Sequence, residues 1–204
     1  MIVGIADLGI GNFAAMAKMF DQLGAKPRRL EDPSLLKSVD RLVLPGVGAF
    51  DFAAHVLDER GWRNPLMDLM SAGQTPVLAV CVGMQLLASG SDEGPGRGLN
   101  WITGQCRRFQ SNSASPIKVP HMGWNTIHPT HPDPLLGSDS EQRFYFVHSY
   151  FVECEPPHLV AQCTYGTAFP AVVRRDLVWG VQFHPEKSHR YGLKLLKNFL
   201  ELPC

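Results

Sequence analysis

The chain has 204 residues, 45% of them hydrophobic and 19% charged, enough for one well-filled core and a single domain spanning 1–204. Lys plus Arg and Asp plus Glu balance at 19 each with no local basic block, which argues against nucleic acid or an anionic membrane as partner. Cys81, Cys106, Cys154, Cys163 and Cys204 form no C-x-x-C pair, and no charged-then-apolar leader or apolar run of about 18 residues occurs, so a reducing, cytoplasmic setting without signal peptide or membrane span is expected.

Residues 2–6 read as a short buried strand. Gly9-Ile10-Gly11-Asn12-Phe13-Ala14 follows and matches G-x-G-x-x-A, with Glu31 and Asp32 about 20 residues on, where a dinucleotide fold keeps its ribose-binding acid. The preceding strand is short and nothing downstream offers a hydride-transfer site, so a tight loop at the sheet edge is the plainer reading. Helical spacing covers 13–23 and stops at Gly24. A strand at 41–44 is ended by Pro45-Gly46; 52–57 and 66–70 read as helical, and 76–80 as the next strand. This alternation predicts an α/β fold: a mostly parallel sheet flanked by helices, with ligands gathered at the carboxyl ends of its strands. The second half changes character. Residues 91–98 read as a Gly/Pro/charged loop, and 117–120, 143–152, 159–164, 171–174 and 177–183 as strands of an antiparallel extension, before a last helix near 191–200.

The apolar run of residues 76–80 ends in Cys81, and helix-forming residues start at once. A Cys on that corner sits at a helix N-terminus, where unpaired N–H groups and the helix dipole favour negative charge on sulfur. Ala79 and Gly83, two before and two after it, are small, as a sharp strand-to-helix turn requires. A nucleophile elbow with sulfur as attacking atom accounts for this pattern; a buried Cys ending a core strand is the other reading of the segment alone.

A nucleophilic thiol needs a base and a group to orient it. His184 falls at the end of the 177–183 strand, and Glu186, two residues on, returns to the same face. Taken singly, His184 is a loop histidine and Glu186 a helix N-terminal carboxylate; as a pair near Cys81 they make a triad. For the oxyanion hole, the Val82 N–H is one donor. The second is expected from the Pro45-Gly46-Val47-Gly48 loop, at Val47 or Gly48, since two glycines let a peptide reorient. His128 and His131 sit beside Pro129 and Pro132 in what reads as a Pro-rich loop without further ligands, so neither metal nor cofactor is expected. His148 ends a strand and could line a pocket. The Trp and Phe residues form no base-stacking strip.

The full set resembles the class I, triad-type glutamine amidotransferases, and more narrowly the glutaminase subunits of imidazole glycerol phosphate synthase. The resemblance runs end to end. It rests on Asp7-Leu8-Gly9-Ile10-Gly11-Asn12, Leu44-Pro45-Gly46-Val47-Gly48-Ala49-Phe50, Cys81-Val82-Gly83-Met84-Gln85-Leu86-Leu87, Val119-Pro120-His121-Met122-Gly123-Trp124-Asn125, Tyr145-Phe146-Val147-His148-Ser149-Tyr150 and the stretch 180–188. Two positions depart from the family pattern: Ala79 where Gly is usual, and Val82 where Leu is usual. The resemblance implies that Cys81 attacks the glutamine carboxamide to form a γ-glutamyl thioester, with His184 and Glu186 moving protons. It implies that Gly46, Gln85, Ser149 and Tyr150 hold the substrate. It also implies that Asn12, Trp124 and Lys187 lie near a partner, a separate (β/α)8-barrel cyclase subunit that receives the ammonia. The Pro45-to-Gly48 peptide is expected to stay misaligned until that partner binds. A glutaminase serving another synthase, a Cys hydrolase of another kind and a non-enzymatic binding module are the rivals; the Pro-His-Met-Gly-Trp-Asn segment favours the first family.

Overall fold

The computed structural model describes residues 1–111, 116–138 and 141–203; Cys204, counted above, lies outside them. In chain order the elements are β1 (Ile2–Ala6), α1 (Phe13–Gln22), β2 (Lys26–Leu30), β3 (Arg41–Gly46), α2 (Phe50–Glu59), α3 (Arg63–Ala72), β4 (Val77–Cys81) and α4 (Val82–Leu86). There follow β5 (Gly90–Ser91), β6 (Gly94–Arg97), β7 (Gly104–Arg108), β8 (His121–Pro129), β9 (Arg143–His148), β10 (Tyr150–Cys154), β11 (Leu159–Tyr165), β12 (Thr167–Arg175), β13 (Val178–Val181) and α5 (His189–Glu201).

A nine-stranded sheet runs β2-β1-β3-β4-β13-β12-β11-β8-β9. From β2 to β13 the neighbours are parallel, and from β13 to β9 antiparallel, which is the expected α/β architecture with its extension. A small second sheet, β10-β7-β5-β6, packs beside it. β4 is an unbroken apolar run because both of its faces are covered: all five residues are buried. α1 starts where the Asn12 side chain accepts from the Ala15 N–H, and buries Met16, Met19 and Phe20. Phe20 meets Phe199 of α5, ring centroids 6.5 Å apart, so first and last helix share one layer.

Several sequence expectations need correction. β2 was not anticipated: Lys-Pro-Arg-Arg-Leu buries only Leu30 and occupies the sheet edge, where no apolar pattern is demanded. β7 escaped for a similar reason, with Cys106 its one fully buried residue. Residues 117–120 are not a strand; the strand begins at His121, so His128 pairs with Gln162 within the sheet and is no loop residue. The run 143–152 is two strands that part at Ser149 into different sheets. The 91–98 loop holds the short β5 and β6. β3 continues through Pro45-Gly46 rather than stopping before it. The decoy acids have local work: Asp32 accepts from the Ser34 N–H and Glu31 pairs with Arg29 at 3.7 Å.

Candidate active site

Parallel pairing sets the site. Gly46 stands opposite Cys81, and Val181 opposite Val80, so β3, β4 and β13 deliver their carboxyl ends to one edge. Cys81 joins β4 to α4 with φ 55° and ψ −109°, a conformation that L side chains rarely adopt and that costs on the order of 1–3 kcal/mol. The strain is held by tight packing. A Cβ on Gly46 would lie 2.7 Å from the Gly83 nitrogen, so the end of β3 and the start of α4 touch backbone to backbone. Ala79 is fully buried between Leu44 and Gly180.

Beyond β13 the chain turns through Pro185–Lys187. His184 is fixed by its N–H donating to the Tyr145 carbonyl at 2.9 Å and by the Ser188 hydroxyl donating to its own carbonyl at 2.6 Å. Its Nδ1–H donates to Glu186 Oε1 at 2.8 Å, with both side chains buried. The Nε2 atom is buried without a hydrogen bond, as is Glu186 Oε2. Burial pushes the His184 pKa down, but the neighbouring Cys81 thiol and then the Glu186 carboxylate outweigh it and raise it to about 9.

Cys81, Val82, Gln85, Glu93, His184 and Glu186 line one cavity of about 530 Å³, with Asn12, Val47, Gly48, Pro120, Lys187 and residues 147–150 completing the wall. The volume suits a small polar metabolite. Gly46, expected to hold the substrate, lies behind the wall in β3. Trp124, expected near a partner, is 40% exposed and stacked on His189 at 5.5 Å. Lys187 reaches over the Tyr145 ring. In this conformation the Val47 N–H donates to the Ile10 carbonyl at 2.5 Å and does not face the cavity as an oxyanion donor. Gly48, at φ 98° with open space around it, is the joint that would let that peptide turn.

Sequence reasoning missed Glu93, which lies in the cavity wall and whose Oε2 accepts from the Phe50 N–H at 2.7 Å. His148, expected to line a pocket, does so, and sequence reasoning missed only its hydrogen-bonded partner His121. His148 Nδ1–H donates to the Tyr150 carbonyl at 2.8 Å, so its Nε2 must accept from His121 Nδ1–H at 3.1 Å. Burial lowers the pKa of His148 to about 3 and of His121 to about 4. Protonation in the unfolded chain begins near pH 6.5, so stability is intact above that and drains as pH falls toward 4. Each histidine contributes a slope of up to about 1.4 kcal/mol per pH unit. Urea unfolding at pH 6.5, 5.5 and 4.5 should show this fall, and H148Q should flatten it; an equal slope in H148Q would disprove the assignment.

Burial raises the other thiols: Cys154 to about 11, Cys163 to about 12, and Cys106 further still. Among the described residues Cys81 is the cysteine that opens on the polar cavity, and no group of three metal-ligating side chains occurs.

The model of the family Glutamine amidotransferase class-I matches residues 8–202. The chain belongs to the class I glutamine amidotransferases. As such it is a glutaminase enzyme. Two curated relatives span it end to end. Both are named imidazole glycerol phosphate synthase subunit HisH. That of Leptospira interrogans is 43% identical, over 98% of this chain and all of the relative. That of Desulfitobacterium hafniense is 46% identical, over 97% and 93%. A solved glutamine amidotransferase superposes with TM-score 0.76 at 20% identity, covering 98% of each chain, and PurLQS from Thermotoga maritima with 0.74 at 15%, covering 98% and 97%. These two show that the amidotransferase fold is shared.

Proposed function

We propose that this glutamine amidotransferase is the glutaminase subunit of an imidazole glycerol phosphate synthase. It hydrolyses glutamine to glutamate and ammonia and hands the ammonia to a separate (β/α)8-barrel cyclase subunit in histidine biosynthesis, within the cytoplasm. The observation that carries the reading is the bonded His184–Glu186 pair whose free Nε2 is left to Cys81 inside one cavity. Full-length likeness to HisH subunits supports the pathway and the existence of a partner.

In this mechanism the Cys81 thiolate attacks the carboxamide carbon, and the carbonyl electron pair moves onto oxygen, where the Val82 N–H at the start of α4 receives it. His184 gives its proton to the departing ammonia. It then takes a proton from water, which opens the thioester and releases glutamate. Glu186 holds the imidazole tautomer throughout. Both N–H groups of Gln85 are spent, on the Tyr150 carbonyl at 3.0 Å and Gln182 Oε1 at 3.3 Å, so Gln85 offers the substrate its oxygen. That oxygen and the Glu93 carboxylate are acceptors for the α-ammonium; amides near Ser149 and Tyr150 face the α-carboxylate. Exposed Met122 and Trp124, with Asn12 and Lys187 on the cavity wall, support a partner face here, although the Asn12 side-chain oxygen also caps α1. Free ammonia is protonated at neutral pH and ammonium is no nucleophile, so transfer has to be sheltered from water.

The Val47–Ile10 bond makes a resting state with half an oxyanion hole. The isolated chain should therefore hydrolyse glutamine at least about 100-fold more slowly than the chain mixed with its cyclase, since one oxyanion donor is worth about 10²–10³ in kcat. Release of glutamate, followed with and without the barrel subunit, tests both parts. Equal rates would sink the gating, and no glutamate in either mixture would sink the glutaminase assignment.

A further inference from the structure

We propose that Gln182 is a positioning residue for the nucleophile, its side-chain amide donating to the Cys81 sulfur and holding the ionised thiol toward the cavity. The inference rests on the reading of Cys81 as the attacking atom. Gln182 has no solvent exposure, lies between β13 and His184, and brings Nε2 to 3.8 Å from Cys81 Sγ. Its amide cannot be turned round. Gln182 Oε1 accepts from Gln85 Nε2 at 3.3 Å, and that same nitrogen donates to the Tyr150 carbonyl at 3.0 Å. The Tyr150 carbonyl is held in turn by His148 Nδ1–H at 2.8 Å. Flipping Gln182 would set donor against donor at Gln85 and oxygen against a thiolate at Cys81. The network therefore commits an N–H to the sulfur.

A hydrogen bond to an ionised acceptor is about twice as strong as one between neutral groups, so this donor favours thiolate over thiol. It also acts late in the reaction. When water opens the thioester, the carbon–sulfur bond breaks and sulfur regains its electron pair, in reach of the Gln182 N–H. The other titratable groups facing the same cavity are His184, Glu186 and Lys187 beyond β13, Glu93 after β5, His148 on β9 and Tyr150 on β10.

The test is Q182M in the full chain, which keeps the side chain's length and removes its donor, together with the oxygen that accepts from Gln85. Iodoacetamide alkylation of Cys81, followed by peptide mass mapping from pH 5 to 10, reports the thiol's own midpoint without glutamine. We expect that midpoint to rise by about one unit, which is tenfold less thiolate below it, and kcat with the cyclase to fall about tenfold. A role in packing alone would lower the denaturation midpoint and leave the alkylation midpoint where it was; that outcome overturns the proposal. If Q182M does not fold, the wild-type chain decides: the Gln182 side-chain N–H resonance should move with the titration of Cys81 and again on its alkylation, and a stationary resonance overturns the proposal. Normal alkylation of a wild-type chain that hydrolyses no glutamine would instead refute the glutaminase reading, so the two failures are distinguishable.

Discussion

Cys81→Ala abolishes glutamine-driven synthesis, by at least about 10⁴-fold, while synthesis fed with ammonium salt by the complex with the cyclase persists. Loss of the nucleophile in a unit of cooperating residues costs far more than loss of any binding contact. Among the described residues no other thiol can replace it, since burial raises Cys106, Cys154 and Cys163 well out of the reactive range. The fold should not suffer. Cys81 carries the positive-φ strain of the elbow, so C81A stays within about 1 kcal/mol of wild type, and C81G, freed from the Cβ penalty, gains roughly 1 kcal/mol in urea unfolding. Stability rising as activity vanishes is the pattern expected of strain kept for chemistry. Loss of both the glutamine and the ammonium reactions in a folded C81A complex would mean that Cys81 does something other than attack an amide.

What the sequence revealed and what it concealed divide along physical lines. β1 and β4 are apolar throughout because sheet neighbours and covering layers demand it, and both were readable from composition alone. The Cys81 corner and the His184–Glu186 pair were readable because local geometry needs small residues at Ala79 and Gly83, and two-residue spacing from His184 to Glu186. The start of α2 was misplaced since its cap comes from Glu93, far along the chain, and no local signal announces it. The break at Ser149 was invisible for the same reason: the residues on either side of it keep strand character and only their partners change. The Val47 amide and the Gln182 amide are subtler still. Each is a single N–H whose acceptor, Ile10 carbonyl or Cys81 sulfur, is chosen by the three-dimensional arrangement. A pattern of residue types can say that a glycine-bearing loop reaches the site; it cannot say which way a peptide faces.

Gly83→Ala is expected to cost the fold heavily. A Cβ there would lie 2.0 Å from the Leu44 carbonyl oxygen and 3.0 Å from its carbon, distances at which atoms overlap. Neither side can retreat. Leu44 is an inner residue of β3, which is paired with β1 on one edge and β4 on the other. Gly83 is the second residue of α4, whose five residues are all buried. Relief requires α4 to lift off β3 or β3 to leave its register, and either loses core contacts around Leu44 and Met84. We expect a destabilisation of about 4 kcal/mol or more, the range reserved for steric failure in a core, offset by less than about 1 kcal/mol of better helix propensity. Gly24→Ala is the matched control: it also breaks a glycine, at φ 78°, but meets nothing within 4 Å and should cost about 1 kcal/mol. Urea midpoints of the two variants measured side by side decide it. A Gly83→Ala midpoint no lower than that of Gly24→Ala would mean that the elbow is looser than its contacts require. The grip of β3 on α4 would then not be what holds Cys81 in its strained conformation.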